Sequence, residues 1–175
     1  MNHRIISEPE YILLPASRGF ILFSLFVAFL CNLFPWGRWP GVPDFLAIVL
    51  VFWNIHQPRK VGIGIAFVFG LFMDVHTGVL LGQHALAYTL LSYGAITLHR
   101  RVLWFSIATQ SLHVLPLFIG AQLVVLLIHL LQGDGLPQWW YGLQSLTEAI
   151  LWPIVTWILL APQRRAVDKD DVRPL

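Results

Sequence analysis

The chain has 175 residues, 57% of them hydrophobic and 11% charged, with a mean hydropathy of +0.71. Soluble globular chains carry roughly 25% charged residues, so eleven Lys and Arg with nine Asp and Glu exclude a sizeable aqueous domain, a nucleic-acid-binding surface or a long acidic tail. This is the composition of an integral membrane protein, and its net charge of +2 rests on a few cations whose positions matter more than their sum. The single Cys31 lies in an apolar run, which excludes an intrachain disulfide and a cysteine-based metal framework.

In chain order, apolar runs bounded by charges and turn residues predict six transmembrane helices, about 18–35, 41–56, 61–77, 82–98, 103–131 and 142–161. They make one all-α membrane domain over residues 1–163, followed by a solvated, poorly ordered cytoplasmic tail, 164–175, that has no apolar face. Glu8, Glu10 and Arg18 precede the first span and no small-x-small cleavage site follows it, so the first helix is expected to stay in the protein. The second span opens at Pro43-Asp44 and is short of the roughly 20 residues a crossing needs. The third ends at Asp74 amid Gly70, Gly78 and Gly82. Gly78-Val79-Leu80-Leu81-Gly82 matches the small-xxx-small pattern and predicts close packing of helices three and four. The fourth begins at His84, the fifth is long and interrupted by Pro116, and the sixth carries Glu148, Trp152 and Pro153.

Cations set the orientation. With a cytoplasmic N-terminus and six crossings, Arg4, Arg18, Arg59, Lys60, Arg100, Arg101, Arg164, Arg165, Lys169 and Arg173 all fall inside, and only Arg38 falls outside. Trp36, Trp39, Trp139 and Trp140 then mark the outer interface, and Trp53 and Trp104 the inner one.

The informative residues are the ionisable groups within or beside spans, since a carboxylate near the bilayer centre costs about 2.5–3.5 kcal/mol. The orientation, built from cations alone, puts Asp44, Asp74, Glu148 and His84 in the same, periplasmic half. Asp44 reads as an N-cap, where a carboxylate accepts orphan backbone N–H groups. Asp74 sits at a helix C-terminus, where the dipole opposes an acid, so it is read either as a buried structural hydrogen bond or as a partner-binding or gating group. Glu148 is either inert and protonated or bonded to a neighbouring helix through Gln122 or His129. There is no H-x3-H, H-E-x-x-H, G-x-S-x-G or Walker pattern, so no catalytic, cofactor or metal residue is expected. The one enzymatic possibility is an Asp44–Asp74 acid–base dyad.

The stretch from Val61-Gly62-Ile63-Gly64 to Gly70-Leu71-Phe72-Met73-Asp74, followed by Thr77-Gly78, Leu81-Gly82 and Ala85-Leu86-Ala87-Tyr88, resembles the MreD family of bacterial rod shape-determining membrane proteins. Phe34-Pro35-Trp36, Pro43-Asp44, Trp53 and Leu151-Trp152-Pro153 extend the resemblance from Leu33 to Leu160. It implies a non-enzymatic scaffold of the cell-elongation machinery in the inner membrane. Its partners would be a single-span MreC-like protein and, indirectly, an MreB-like filament, a RodA-like polymerase and a transpeptidase. It also implies a fold similar to the substrate-binding subunits of energy-coupling transporters, with an outward-facing cavity. Partner-binding or structural roles are therefore expected for Asp74, Gly70, Gly78, Gly82, Pro43, Asp44, His84, Trp152 and Pro153, with Asp74 at an outer surface facing the partner. The family pattern does not require Glu148. The alternative function is a small-molecule-binding membrane subunit of an uptake transporter, with Asp44, Asp74 and His84 lining its cavity.

Overall fold

A computed structural model describes residues 11–13, 16–36, 41–133, 135 and 139–166; Arg4, Arg38, Trp39, Lys169, Arg173 and the tail beyond residue 166 lie outside the described residues. Within them are six α-helices: α1 (Arg18–Leu33), α2 (Phe45–His56), α3 (Ile63–Thr77), α4 (Gln83–Leu103), α5 (Ile107–Leu131) and α6 (Leu143–Leu160). Short 3-10 turns, Trp139–Gly142 and Ala161–Gln163, flank α6. The segment expected to be structureless from residue 164 instead begins as a strand, β2 (Arg164–Ala166), paired antiparallel with β1 (Tyr11–Leu13). The pairing gives both segments ladder partners for their backbone polar groups at the end of the bundle where α1 begins and α6 ends.

Ten consecutive residues of α2, Leu46 to Ile55, include one polar side chain, Asn54, and no charge. A helix apolar on every side has no face for water and belongs in an interior. All ten are buried, and α2 packs against α1, α4 and α6, while α3 lies on α4, and α5 joins α4 to α6. At 12 residues α2 is only about 18 Å long. Two segments, Ile107–Leu131 and Trp140–Gln163, are by themselves long and apolar enough to cross a bilayer.

The outside of the bundle is oily and the polar side chains are turned in. Phe23, Phe26 and Leu30 of α1, Phe72 and Val75 of α3, Leu123 and Leu127 of α5, and Ile150 and Trp157 of α6 are exposed. Asn54, Asp74, Gln83, Ser92, Gln110, Ser145 and Glu148 are buried. Polar rungs cross the helix interfaces: Trp53 Nε1 donates to Ser24 Oγ (2.8 Å), Asn54 Nδ2 to Ser92 Oγ (2.9 Å), and Trp152 Nε1 to Gln110 Oε1 (3.3 Å). Where the surroundings are as apolar as leucine, such bonds and close packing hold helices together. Trp53 is therefore no interfacial anchor: α1, α4 and α6 enclose α2, and its ring is fully buried. Trp104, 91% exposed, does sit at a helix end.

Two boundaries move from their predicted places. Helix α4 runs past Arg100 and Arg101 to Leu103, and α5 starts only at Ile107, because the chain reverses over Trp104 to Ser106. Tight backbone bonds from Trp104 and Phe105 to Arg101 and Val102 make that turn, and Gln110 Nε2 donates to the Phe105 carbonyl (3.0 Å). The small-residue motif is also reassigned. Gly78 (φ 67°) ends α3 and Gly82 (φ 106°) precedes α4, both left-handed turn positions with no atom within 4 Å of an added Cβ. The motif is a turn and not an interface, because its residues are not on one helix. The close approach of α3 and α4 falls at Gly70, where a Cβ would stand 2.3 Å from Ala85 Cα.

Gly70→Ala must therefore push α3 off α4. It is expected to cost roughly 1–3 kcal/mol and lower the thermal midpoint of the purified protein by about 3–10 °C. Gly64→Ala, which meets open space, should be neutral or slightly stabilising.

Candidate functional site

The three carboxylates among the described residues gather at one end of the bundle, and each is explained by a backbone that needs it. The first four N–H groups of a helix have no intrahelical acceptor. The N-terminus of α2 meets this need with Asp44, whose Oδ1 accepts from Ala47 N (2.9 Å) as the N-cap. Asp44 goes further than a surface cap. Its Oδ1 also accepts from Asn32 Nδ2 of α1 (2.7 Å), its Oδ2 from the Tyr88 hydroxyl of α4 (2.5 Å), and its own N–H donates to Glu148 Oε1 of α6 (3.1 Å). Asn32 Oδ1 accepts from Phe45 N (3.0 Å). Four helices are thus tied at one residue.

Helix α4 begins after Gly82, which has no side chain to cap with. Asp74 of α3 supplies the missing acceptor from across the turn. Its Oδ2 accepts from Gly82 N (2.8 Å) and Ala85 N (3.4 Å), and its Oδ1 from His84 N (2.6 Å) and His84 Nδ1 (2.9 Å). An acid opposed by the dipole of its own helix is favoured by the dipole of the next. The left-handed Gly78 and Gly82 fold the chain back far enough for this contact, and Thr77 Oγ1 donates to Met73 O (2.7 Å) beside it. Asp74 is 1% exposed. Its carboxylate is consumed within the chain and faces no outer surface, so the expectation of a direct partner contact does not fit its position.

A cavity of about 230 Å³ opens between these groups and α5, lined by Asp44, Gln83, His84, Tyr88, Gln122 and Glu148 among others. That is room for roughly seven waters. Along this side α5 is fully buried only at Gln110, Val114 and Phe118. Gln83 Nε2 pairs with His129 Nε2 (2.9 Å), and among the described residues the buried Gln83 Oε1 has no hydrogen-bond partner and no Lys or Arg lines the space. Gln122 bonds the Tyr141 carbonyl and Ser145 Oγ, fastening α5 to α6.

Asp44, Asp74 and His84 thus belong to one polar end. His84 lines the cavity and Pro43 borders a smaller recess beside Asn32 and Trp36. Trp152 lies elsewhere, buried against Phe52 and Gln110, with Pro153 half-buried after it. Glu148 is tied to a neighbouring element as one reading had it, but through the Asp44 backbone, not Gln122 or His129. Asp44 and Asp74 share no hydrogen bond, each serving a different helix N-terminus, so the dyad is not assembled. Sequence reasoning missed Asn32 and Gln83, and it met Tyr88 only within a resembling stretch. The available signal was polarity, clearest at Asn32, a lone amide in the run Leu30-Cys31-Asn32-Leu33-Phe34.

Apolar exterior, buried carboxylates and polar rungs between helices define a helical membrane protein. The profile of the family described as rod shape-determining protein MreD matches residues 12–161. The rod shape-determining protein MreD of Haemophilus influenzae is 33% identical over 155 residues, spanning 85% of this chain and 93% of the relative. The chain belongs to the MreD family and so to the proteins that determine rod shape. No solved structure matches it.

Asp74→Ala removes the acceptor of Gly82 and His84 N–H groups and is expected to cost about 1–3 kcal/mol per group left unsatisfied, with Asp74→Asn intermediate; thermal midpoints and membrane protein levels check the order. Asp44→Asn combined with Tyr88→Phe should destabilise by less than the sum of the single changes, since both act on one bond, and a double-mutant cycle reads the difference.

Proposed function

We propose that this protein is a non-enzymatic membrane scaffold of the bacterial elongation machinery. It sits in the inner membrane with six crossings and both ends in the cytoplasm, and it links an MreC-like single-span partner, and through it an MreB-like filament, to the RodA-like polymerase and transpeptidase that build peptidoglycan. Family membership supports the setting. The short α2 is compatible with six crossings, because a helix jacketed by α1, α4 and α6 need not match the lipid thickness alone.

The observation that carries the scaffold reading is the cavity at the acidic end. In the proposed orientation it opens toward the periplasm, where wall is made, and it holds a buried acceptor, Gln83 Oε1, with no bonding partner among the described residues. A membrane-proximal segment of the partner with hydrogen-bond donors completes it.

A photo-crosslinking residue at Tyr141, on the cavity, is expected to capture the MreC-like protein in cells. The same residue at Trp104, at the opposite end, should not. Normal cell width together with no capture from Tyr141 would remove the cavity from the scaffold reading. A stoichiometric metabolite in native mass spectra of the purified protein would favour the uptake-subunit reading instead.

A further inference from the structure

The end opposite the acids carries the opposite charge. Arg18 opens α1, while Arg59 and Lys60 lie in the turn between α2 and α3, yet all three line one recess of about 340 Å³ with Ile21, Leu22 and Ile65. Lys60 Nζ donates to the Ala16 carbonyl (2.6 Å), which holds its ammonium at that place. Arg18 and Arg59 are exposed, and neither guanidinium has a hydrogen-bond or ion-pair partner among the described residues. Among the described residues no carboxylate lines the recess. Cations placed only to orient a chain would need no common focus. Here two segments distant in sequence turn them toward one space whose remaining walls are aliphatic.

We propose that this recess binds the phosphate headgroup of an anionic membrane lipid. Guanidinium forks match phosphate oxygens two at a time, and the Lys60 ammonium adds a point charge. Leu22, 53% exposed, and Ile65 provide the apolar wall along which the acyl chains leave. Basic pockets between membrane helices near the headgroup layer select anionic lipid in this way. The proposal rests on the six-crossing orientation only for which leaflet supplies the lipid, the cytoplasmic one. Binding by purified protein is independent of that, and a topology reporter fused after residue 60 tests the orientation separately.

The same end offers an internal control. Arg100 and Arg101, adjacent on α4, line a different recess with Trp104 and Phe105. The full-length protein in neutral detergent is titrated with phosphatidylglycerol or phosphatidylethanolamine, and bound lipid is counted by native mass spectrometry. Preferential retention of phosphatidylglycerol is expected. R18Q/R59Q should weaken it at least about tenfold, and R100Q/R101Q, with the same charge change, by no more than about twofold. Because neither guanidinium has a partner among the described residues, R18Q/R59Q should keep the parent melting temperature, and R18K/R59K should keep the preference for anionic over zwitterionic lipid. Equal weakening in the two Gln pairs, equal retention of the two lipids, or glycerol phosphate competing as well as the whole lipid would each overturn the assignment.

Discussion

Helix N-termini that do not end in water need acceptors from somewhere. In this protein α2 and α4 both start among other helices, and each start is supplied with a carboxylate. Asp44 caps its own helix and Asp74 caps its successor. Leaving such N–H groups unmet in an apolar setting costs more than any single packing contact returns. Much else follows from where those two acids must lie. Gly70 lets α3 approach α4 closely, Gly78 and Gly82 turn the chain tightly enough for Asp74 to reach across, and Tyr88, Asn32 and Glu148 meet at Asp44 because each satisfies an atom there.

This arrangement makes one end of the bundle stiff and the other end chemically different. At the acidic end α1, α2, α4 and α6 are tied through one residue, and a polar space lies between them and α5. At the basic end cations converge over aliphatic walls. The scaffold proposed above, with protein on one side of a membrane and lipid on the other, would use such a division. In that proposal the acidic end presents a hydrogen-bonded geometry, and the basic end would draw affinity from charge at the headgroup layer.

Six apolar runs became six helices, and Asp44 was legible as a cap because cap chemistry is local: the carboxylate and the N–H it accepts are three residues apart. Where reasoning by position failed, it failed for one reason. Position in the chain sets Asp74 against the dipole of its own helix, although the dipole that matters belongs to the next helix. Gly78 and Gly82 satisfied a packing pattern, yet they lie in a turn. Trp53 had the position of an interfacial anchor until three neighbouring helices closed over it. The early arrest of the supposed tail in β2 depends on β1, more than 150 residues away in the chain.

Composition and periodicity alone set the solvent, the number of helices and the opposition of acids and cations, because these depend on how each residue partitions between lipid and water and on neighbours within one turn. Only the tertiary structure decided which N-terminus each acid serves, which glycine is the true point of contact, and that Arg18 and Arg59 share one recess. Those are facts about atoms brought together from separate helices. In a medium without water to satisfy a stray donor or a stray charge, such pairings are settled by which helices pack together, and a linear reading holds no record of that packing.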